Sequence, residues 1–155
     1  MLKKILITTL LASVLGVEAF AYDAEKAKYF DAFYSKFTPK VMAHSSITVE
    51  ADDVMKMIRE NAKFTFLDIR TPAEIAILGL NSPNTLEIPL HEVFKEANLK
   101  KLPTDEKIII VCRSDSRATM LVSSLVMLGF SNVIILKGGI VDLAGAVGTG
   151  TVTIK

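Results

Sequence analysis

A single cysteine occurs in the 155 residues, and its surroundings suit nucleophilic chemistry. Cys112 is followed by Arg113, Ser114, Asp115 and Ser116 and then by Arg117, so four residues separate the thiol from the second guanidinium. The thiolate is the nucleophilic form of cysteine, and nearby cations favour it. The elements that must position this group can be read from either side of it. Before it, Ile108 to Val111 is apolar and β-branched at every position and follows Pro103-Thr-Asp-Glu-Lys107, which predicts a strand buried on both faces, as in a parallel sheet. After it, Ala118, Leu121, Val122, Leu125 and Leu128 recur at helical spacing, and Gly129 supplies a stop. Cys112 is therefore expected in a strand-to-helix turn, where open α/β sheets bind ligands. The free N–H groups and dipole of a helix start can cradle an anion there. Cys112 is the candidate nucleophile, and Arg113, Ser114, Asp115, Ser116 and Arg117 are the candidate anion-binding residues. The plainer alternatives are a small buried hydrophobe for Cys112 and solvated loop charges for the two arginines.

Strand, Cys-x4-Arg loop and helix together resemble the active-site loop of rhodanese-like domains, in which a cysteine carries a transferable sulfur as a persulfide. Cysteine phosphatases and arsenate-reducing relatives have five residues between Cys and Arg, a wider ring, so that reading is disfavoured. Upstream, Leu67-Asp68-Ile69-Arg70 with Thr71-Pro72-Ala73-Glu74 after it is similar to the Leu-Asp-Val-Arg…Glu signature of the same family. The resemblance implies a supporting role around the site for Asp68, Arg70 and Glu74; without it, they read as a strand-end ion cluster. Downstream, Lys137-Gly138-Gly139-Ile140 resembles the family's Leu-x-Gly-Gly turn, whose glycines by default serve the backbone. The resemblance spans approximately residues 47 to 144. The chain departs from it in three places: Asp115 stands where the common loop has glycine, Ile77 to Leu86 replaces a Gly-His-Ile-Pro-Gly-Ala element, and Leu143 lies near the family's usual tryptophan. Asp115 puts negative charge beside an anion site, which would weaken thiosulfate binding or tune the site for another donor.

The address comes from the first residues. Lys3 and Lys4 precede an apolar run from Ile5 to Val17, and Ala19-Phe20-Ala21 forms a small-x-small site, so residues 1–21 read as a secretory signal peptide cut after Ala21. A periplasmic or otherwise exported protein is expected, with no stable membrane span after cleavage, because the run is too short for one. Removing Lys3, Lys4 and Glu18 from 18 basic and 17 acidic residues leaves 16 of each. A balanced chain with no basic stripe gives no support for nucleic-acid binding. One cysteine cannot form an intramolecular disulfide, so in an oxidising compartment it is buried, free and reactive, or joined to another molecule.

Residues 22–46 read as an N-terminal helical extension. Tyr29, Phe30, Phe33, Tyr34 and Phe37 share one face of a helix from about Ala24 to Phe37, capped by Asp23, and that face either packs on the domain or meets a partner or membrane surface. Within residues 47–145, the rhodanese-like domain, strands are expected at Ile47–Val49, from Phe64 towards Arg70, at Glu87–Leu90, at Lys107–Val111 and at Asn132–Leu136. Helices are expected at Ala51–Glu60, His91–Ala97 and from Arg117 to Leu128. His44 lacks metal-ligand companions and reads as a surface loop residue, and His91 lies outside the Cys112 loop, which disfavours it as a catalytic base. The tail, 146–155, adds an edge strand or stays free.

The alternation of strands and helices predicts an α/β domain, and the resemblance makes it rhodanese-like: a mainly parallel central sheet of about five strands with helices on both faces. The activity it implies is that of a sulfurtransferase taking sulfane sulfur from thiosulfate or polysulfide and passing it to cyanide, a thiol or a protein acceptor, with no metal or organic cofactor. The competing reading is a sulfur carrier or binding module without turnover.

Overall fold

A computed structural model describes residues 22–43, 45–147 and 152–153. The proposed signal peptide, His44 and most of the tail lie outside the described residues. The chain separates into two compact units, Met1–Ala43 and His44–Lys155. In the first, α1 (Ala24–Tyr34) begins where the Asp23 carboxylate accepts the Lys26 N–H at 3.0 Å, and α2 (Pro39–Met42) begins at Thr38. α1 ends three residues before Phe37, but the rings of Phe33, Tyr34 and Phe37 still meet, edge-on or tilted, with centroids 5.0 to 6.0 Å apart. No residue of α1 or α2 is buried.

The second unit is built on five parallel strands in the order β1 (Thr48–Val49), β6 (Val133–Leu136), β5 (Lys107–Val111), β2 (Phe64–Asp68), β4 (Thr85–Glu87). β5 is central and pairs with β2 and β6 on its two sides. Its alternating side chains feed two cores, which is why the run is apolar throughout. Ile108, Ile110 and Cys112 face the side of Leu67, Ile69 and the helix α6 (Ser116–Met127), which contributes Ala118, Leu121, Val122 and Leu125. Ile109 and Val111 face Phe64, Phe66 and the opposite layer, where α3 (Ala51–Arg59) supplies Val54 and α7 (Gly139–Val147) supplies Ile140 and Leu143. Helices therefore cover both faces, as the sequence predicted.

Several segments differ from the sequence reading, which gave no helix at Pro72–Ile77 or Gly139–Val147. The helix expected over His91–Ala97 is broken into a 3₁₀ turn, Leu90–Glu92, and α5 (Glu96–Leu99), because Lys95 is extended and the buried Asn98 amide takes the Glu92 carbonyl at 2.9 Å. The strand expected at Glu87–Leu90 lies earlier, at Thr85–Glu87, so Pro89, with no N–H to offer, falls outside the ladder. In the rewritten loop after α4 (Pro72–Ile77), β3 (Gly79–Leu80) pairs antiparallel with β7 (Val152–Thr153), so part of the tail does form a strand.

Candidate active site

Cys112 follows the last residue of β5 and is 1% exposed. The loop then runs through Arg113 and Ser114, both exposed, to Asp115, which precedes the first residue of α6. Asp115 sits at φ −175°, an extended value open to any residue, so the absence of glycine here carries no left-handed strain. Its carboxylate makes no capping bond; its carbonyl accepts from the Thr119 N–H and hydroxyl at 2.8 and 3.1 Å. Gly129, at φ +100°, ends the helix as expected, with the Phe130 N–H returning to the Leu125 carbonyl at 3.1 Å.

The floor of the loop is supplied by the turn between β6 and α7. Ile140 N–H donates to the Cys112 carbonyl at 2.9 Å and Val141 N–H to the Arg113 carbonyl at 3.4 Å. Gly139 makes this approach possible. Its φ is +62°, and a Cβ there would stand 2.5 Å from the Cys112 carbonyl oxygen and 2.7 Å from the Arg113 carbonyl carbon. The Gly-Gly pair thus does more than turn the backbone. Sequence reading missed this role because it depends on β6 lying beside β5, which no local pattern states.

Asp68, Arg70 and Glu74 come together beside the loop. Asp68 is fully buried and Arg70 is 2% exposed; the Arg70 Nε and Nη2 donate to the Asp68 carboxylate at 2.9 and 2.5 Å, and Nη1 donates to the Leu78 carbonyl at 2.7 Å. Arg70 therefore fastens the end of β2 to the end of α4. Glu74 closes a capping box with Thr71, accepting its N–H and hydroxyl at 3.0 and 2.9 Å. The same carboxylate receives Arg117 in a fork, Nη1 at 2.9 Å and Nη2 at 2.6 Å. The Arg117 guanidinium, helped by the Thr71 bonds and opposed by partial burial, holds the Glu74 carboxyl down to about 2. In return Glu74 holds the Arg117 pKa above its ordinary value.

The five loop residues expected to bind an anion are thus placed differently from one another. Arg117 is half-buried and engaged by Glu74, whereas Arg113 is exposed and its side chain makes no hydrogen bond or ion pair among the described residues. Arg113 opens onto a cleft of about 360 Å³ whose walls are the aliphatic side chains of Ile77, Leu78, Ile140 and Val141, with Arg70 and Glu74 along the same lining. Among the described residues no group of three or more His, Cys, Asp or Glu could hold a metal ion, and no helix is long and apolar enough to cross a membrane.

The rhodanese-like domain family model matches residues 50–146. The chain belongs to this family. A sulfurtransferase of Allochromatium vinosum is 30% identical over 96 residues, which are 62% of this chain and 86% of that protein. A probable adenylyltransferase/sulfurtransferase of Mycobacterium tuberculosis is 26% identical over 97 residues, 63% of this chain and 24% of its own length. Among solved structures, a rhodanese-related protein of Thermoplasma volcanium superposes with a TM-score of 0.55 at 27% identity, covering 70% of this chain and 98% of its own. The rhodanese-like domain of an Anabaena protein reaches a TM-score of 0.60 at 20% identity, over 72% of this chain and 81% of its own. Family and relatives support sulfurtransferase-type function, with a sulfur donor and a sulfur acceptor as the general classes of partner.

Proposed function

We propose that the protein moves sulfane sulfur through a persulfide on Cys112. The Cys112 thiolate attacks the outer sulfur of thiosulfate or a polysulfide; the donor's S–S bond breaks, its electron pair leaves with sulfite or the shortened polysulfide, and Cys112-S-S⁻ remains. A thiophilic acceptor, which is cyanide, a thiol or a protein thiol, then removes the outer sulfur and restores the thiolate. Arg113 attracts the anionic donor, and the N–H groups at the start of α6 hold charge on the persulfide. The observation that carries this reading is the placement of Cys112 at the end of the central strand, with the Gly139 turn pressed against the carbonyl side of its loop. The signal-like character of residues 1–21 adds export to the periplasm, which N-terminal sequencing of the protein recovered from cells would test.

The test of the chemistry is the intact mass of the protein after thiosulfate or polysulfide, before and after cyanide. A gain of one sulfur that cyanide removes and Cys112→Ser lacks supports the persulfide. A folded protein that gains no sulfur from any donor sinks the reading. A second reading, a carrier that loads but does not turn over on small donors, is favoured by the engagement of Arg117 with Glu74, which leaves Arg113 as the free loop cation. Steady-state turnover with thiosulfate and cyanide separates the two.

A further inference from the structure

We infer that the aromatic face of α1, with the two lysines that follow it, is a docking surface for an anionic lipid bilayer, on which the helix lies in the plane of the headgroups. The inference goes beyond the sulfur chemistry, because it concerns the unit that precedes the Cys112 domain. Tyr29, Phe30, Tyr34 and Phe37 are 39 to 54% exposed and, together with Phe33, meet one another ring to ring instead of entering a core. Val41 and Met42 of α2 are exposed as well. The second unit, meanwhile, fills both of its cores with its own strands and helices. A contiguous apolar stripe that serves no core marks a surface to be covered.

Charge indicates what covers it. Asp23 pairs with Lys26 and Glu25 with Lys28, each at 2.9 Å, so these four charges cancel locally. Asp31 falls on the side of α1 opposite the rings, in line with Lys28 and Ser35 at helical spacing. Lys36 and Lys40, beside Phe37 and Val41, have no acidic partner among the described residues. Residues 22–43 hold four lysines against three acids, and the two unpaired cations lie at the aromatic end while the unpaired acid points away from it.

An anionic bilayer fits both patterns. Phenol and phenyl rings favour the headgroup boundary, where a tyrosine ring is buried while its hydroxyl stays wet. Lysines beside them extend their stems along the apolar layer and set their ammonium groups among lipid phosphates. A protein partner fits less well. α1 is about 16 Å long, and one face of it falls short of the ~800 Å² that a stable interface buries on each side. A bilayer asks for no matching shape, and a helix that lies in its surface needs a polar outer face, which Lys28, Asp31 and Ser35 supply.

The protein has no tryptophan, so a single one introduced into the full chain reports on its own position. Phe30→Trp places it on the aromatic face and Ser35→Trp on the opposite one. Each is titrated with vesicles of phosphatidylcholine containing about a quarter phosphatidylglycerol, with plain and with brominated acyl chains. Emission from Phe30→Trp should shift to the blue and be quenched by the brominated lipid, while Ser35→Trp stays unchanged. Both variants carry the same N-terminus, so any contribution of residues 1–21 is common to the two. Adding Lys36→Gln/Lys40→Gln to Phe30→Trp should lower partitioning by about tenfold, and pure phosphatidylcholine should weaken it similarly. No response from either variant overturns the proposal, as does equal quenching of both. Emission from Phe30→Trp that is already blue in buffer and indifferent to vesicles also overturns it, since another part of the protein or a second copy then covers the face. Binding that ignores both the lysines and the lipid charge rules out the anionic surface. Sulfur loading measured on the same variants should match wild type, so failure to dock leaves the sulfurtransferase reading standing.

Discussion

Two turns at the same end of the sheet are built on opposite plans. After β2, almost every polar group is matched: Asp68 with Arg70, Arg70 with the Leu78 carbonyl, Thr71 with Glu74, Glu74 with Arg117. After β5, the side chains of Arg113, Ser114, Asp115 and Ser116 make no hydrogen bond among the described residues. The difference separates the turn built as scaffold from the one proposed to receive the sulfur donor. Buried polar groups stay where they have partners, and a loop whose polar side chains stand idle in water costs the fold little while keeping them free for something that arrives.

The contrast can be broken or sharpened by substitution. Arg70→Met should have the largest effect: it leaves the fully buried Asp68 carboxylate uncompensated, for an expected loss of about 3–5 kcal/mol in urea unfolding. Stability within about 1 kcal/mol of wild type would show that the β2 turn is not the scaffold it looks to be. Next comes Gly139→Ala, which combines a left-handed φ of +62° with a Cβ 2.5 Å from the Cys112 carbonyl oxygen. About 2 kcal/mol or more should be lost, together with a fall in the rate of sulfur loading; unchanged loading would detach the Gly-Gly turn from the loop.

Glu74→Gln should cost about 1 kcal/mol, since the pair with Arg117 is partly exposed on both sides, 31% and 30%. The glutamate also predicts a pH dependence. Its carboxyl sits at about 2 in the fold and near 4.5 otherwise, so the unfolded chain takes up the proton first. The stabilisation is complete above pH 4.5 and is lost as the pH falls towards 2. Melting temperatures measured across that window should converge for wild type and Glu74→Gln as acid is added; curves that stay parallel would mean the fork contributes nothing. Smallest of all, Arg113→Gln should leave stability within about 0.5 kcal/mol while slowing persulfide formation, and a clear drop in melting temperature would place Arg113 in the scaffold after all.

Much of the fold was legible because the decisive signals are local. The unbroken apolar run at Ile108–Val111 read as a strand covered on both faces, Val133–Leu136 read as a core strand, and the periodicity ending at Gly129 outlined α6. The segment His91–Ala97 defeated the same method, because a buried amide six residues away, Asn98 to the Glu92 carbonyl, outweighed helical propensity. Asp68, Arg70 and Glu74 were legible as a strand-end ion cluster, but the pairing of Glu74 with Arg117 was not: they are 43 positions apart, and only the fold sets a carboxylate opposite that guanidinium. The same applies to the contact of Gly139 with Cys112, whose only sequence trace is a glycine pair after a strand.

One consequence follows from the two bonds that the start of α7 makes to the Cys112 and Arg113 carbonyls. A trans peptide is a rigid plate with its oxygen and its hydrogen on opposite edges. Pinning those two oxygens towards α7 therefore points the Arg113 and Ser114 hydrogens the other way, away from α7. Their orientation is settled during folding rather than at the moment a negatively charged sulfur appears. The reorganisation that water would have to undergo around such a sulfur is, at these two positions, already complete.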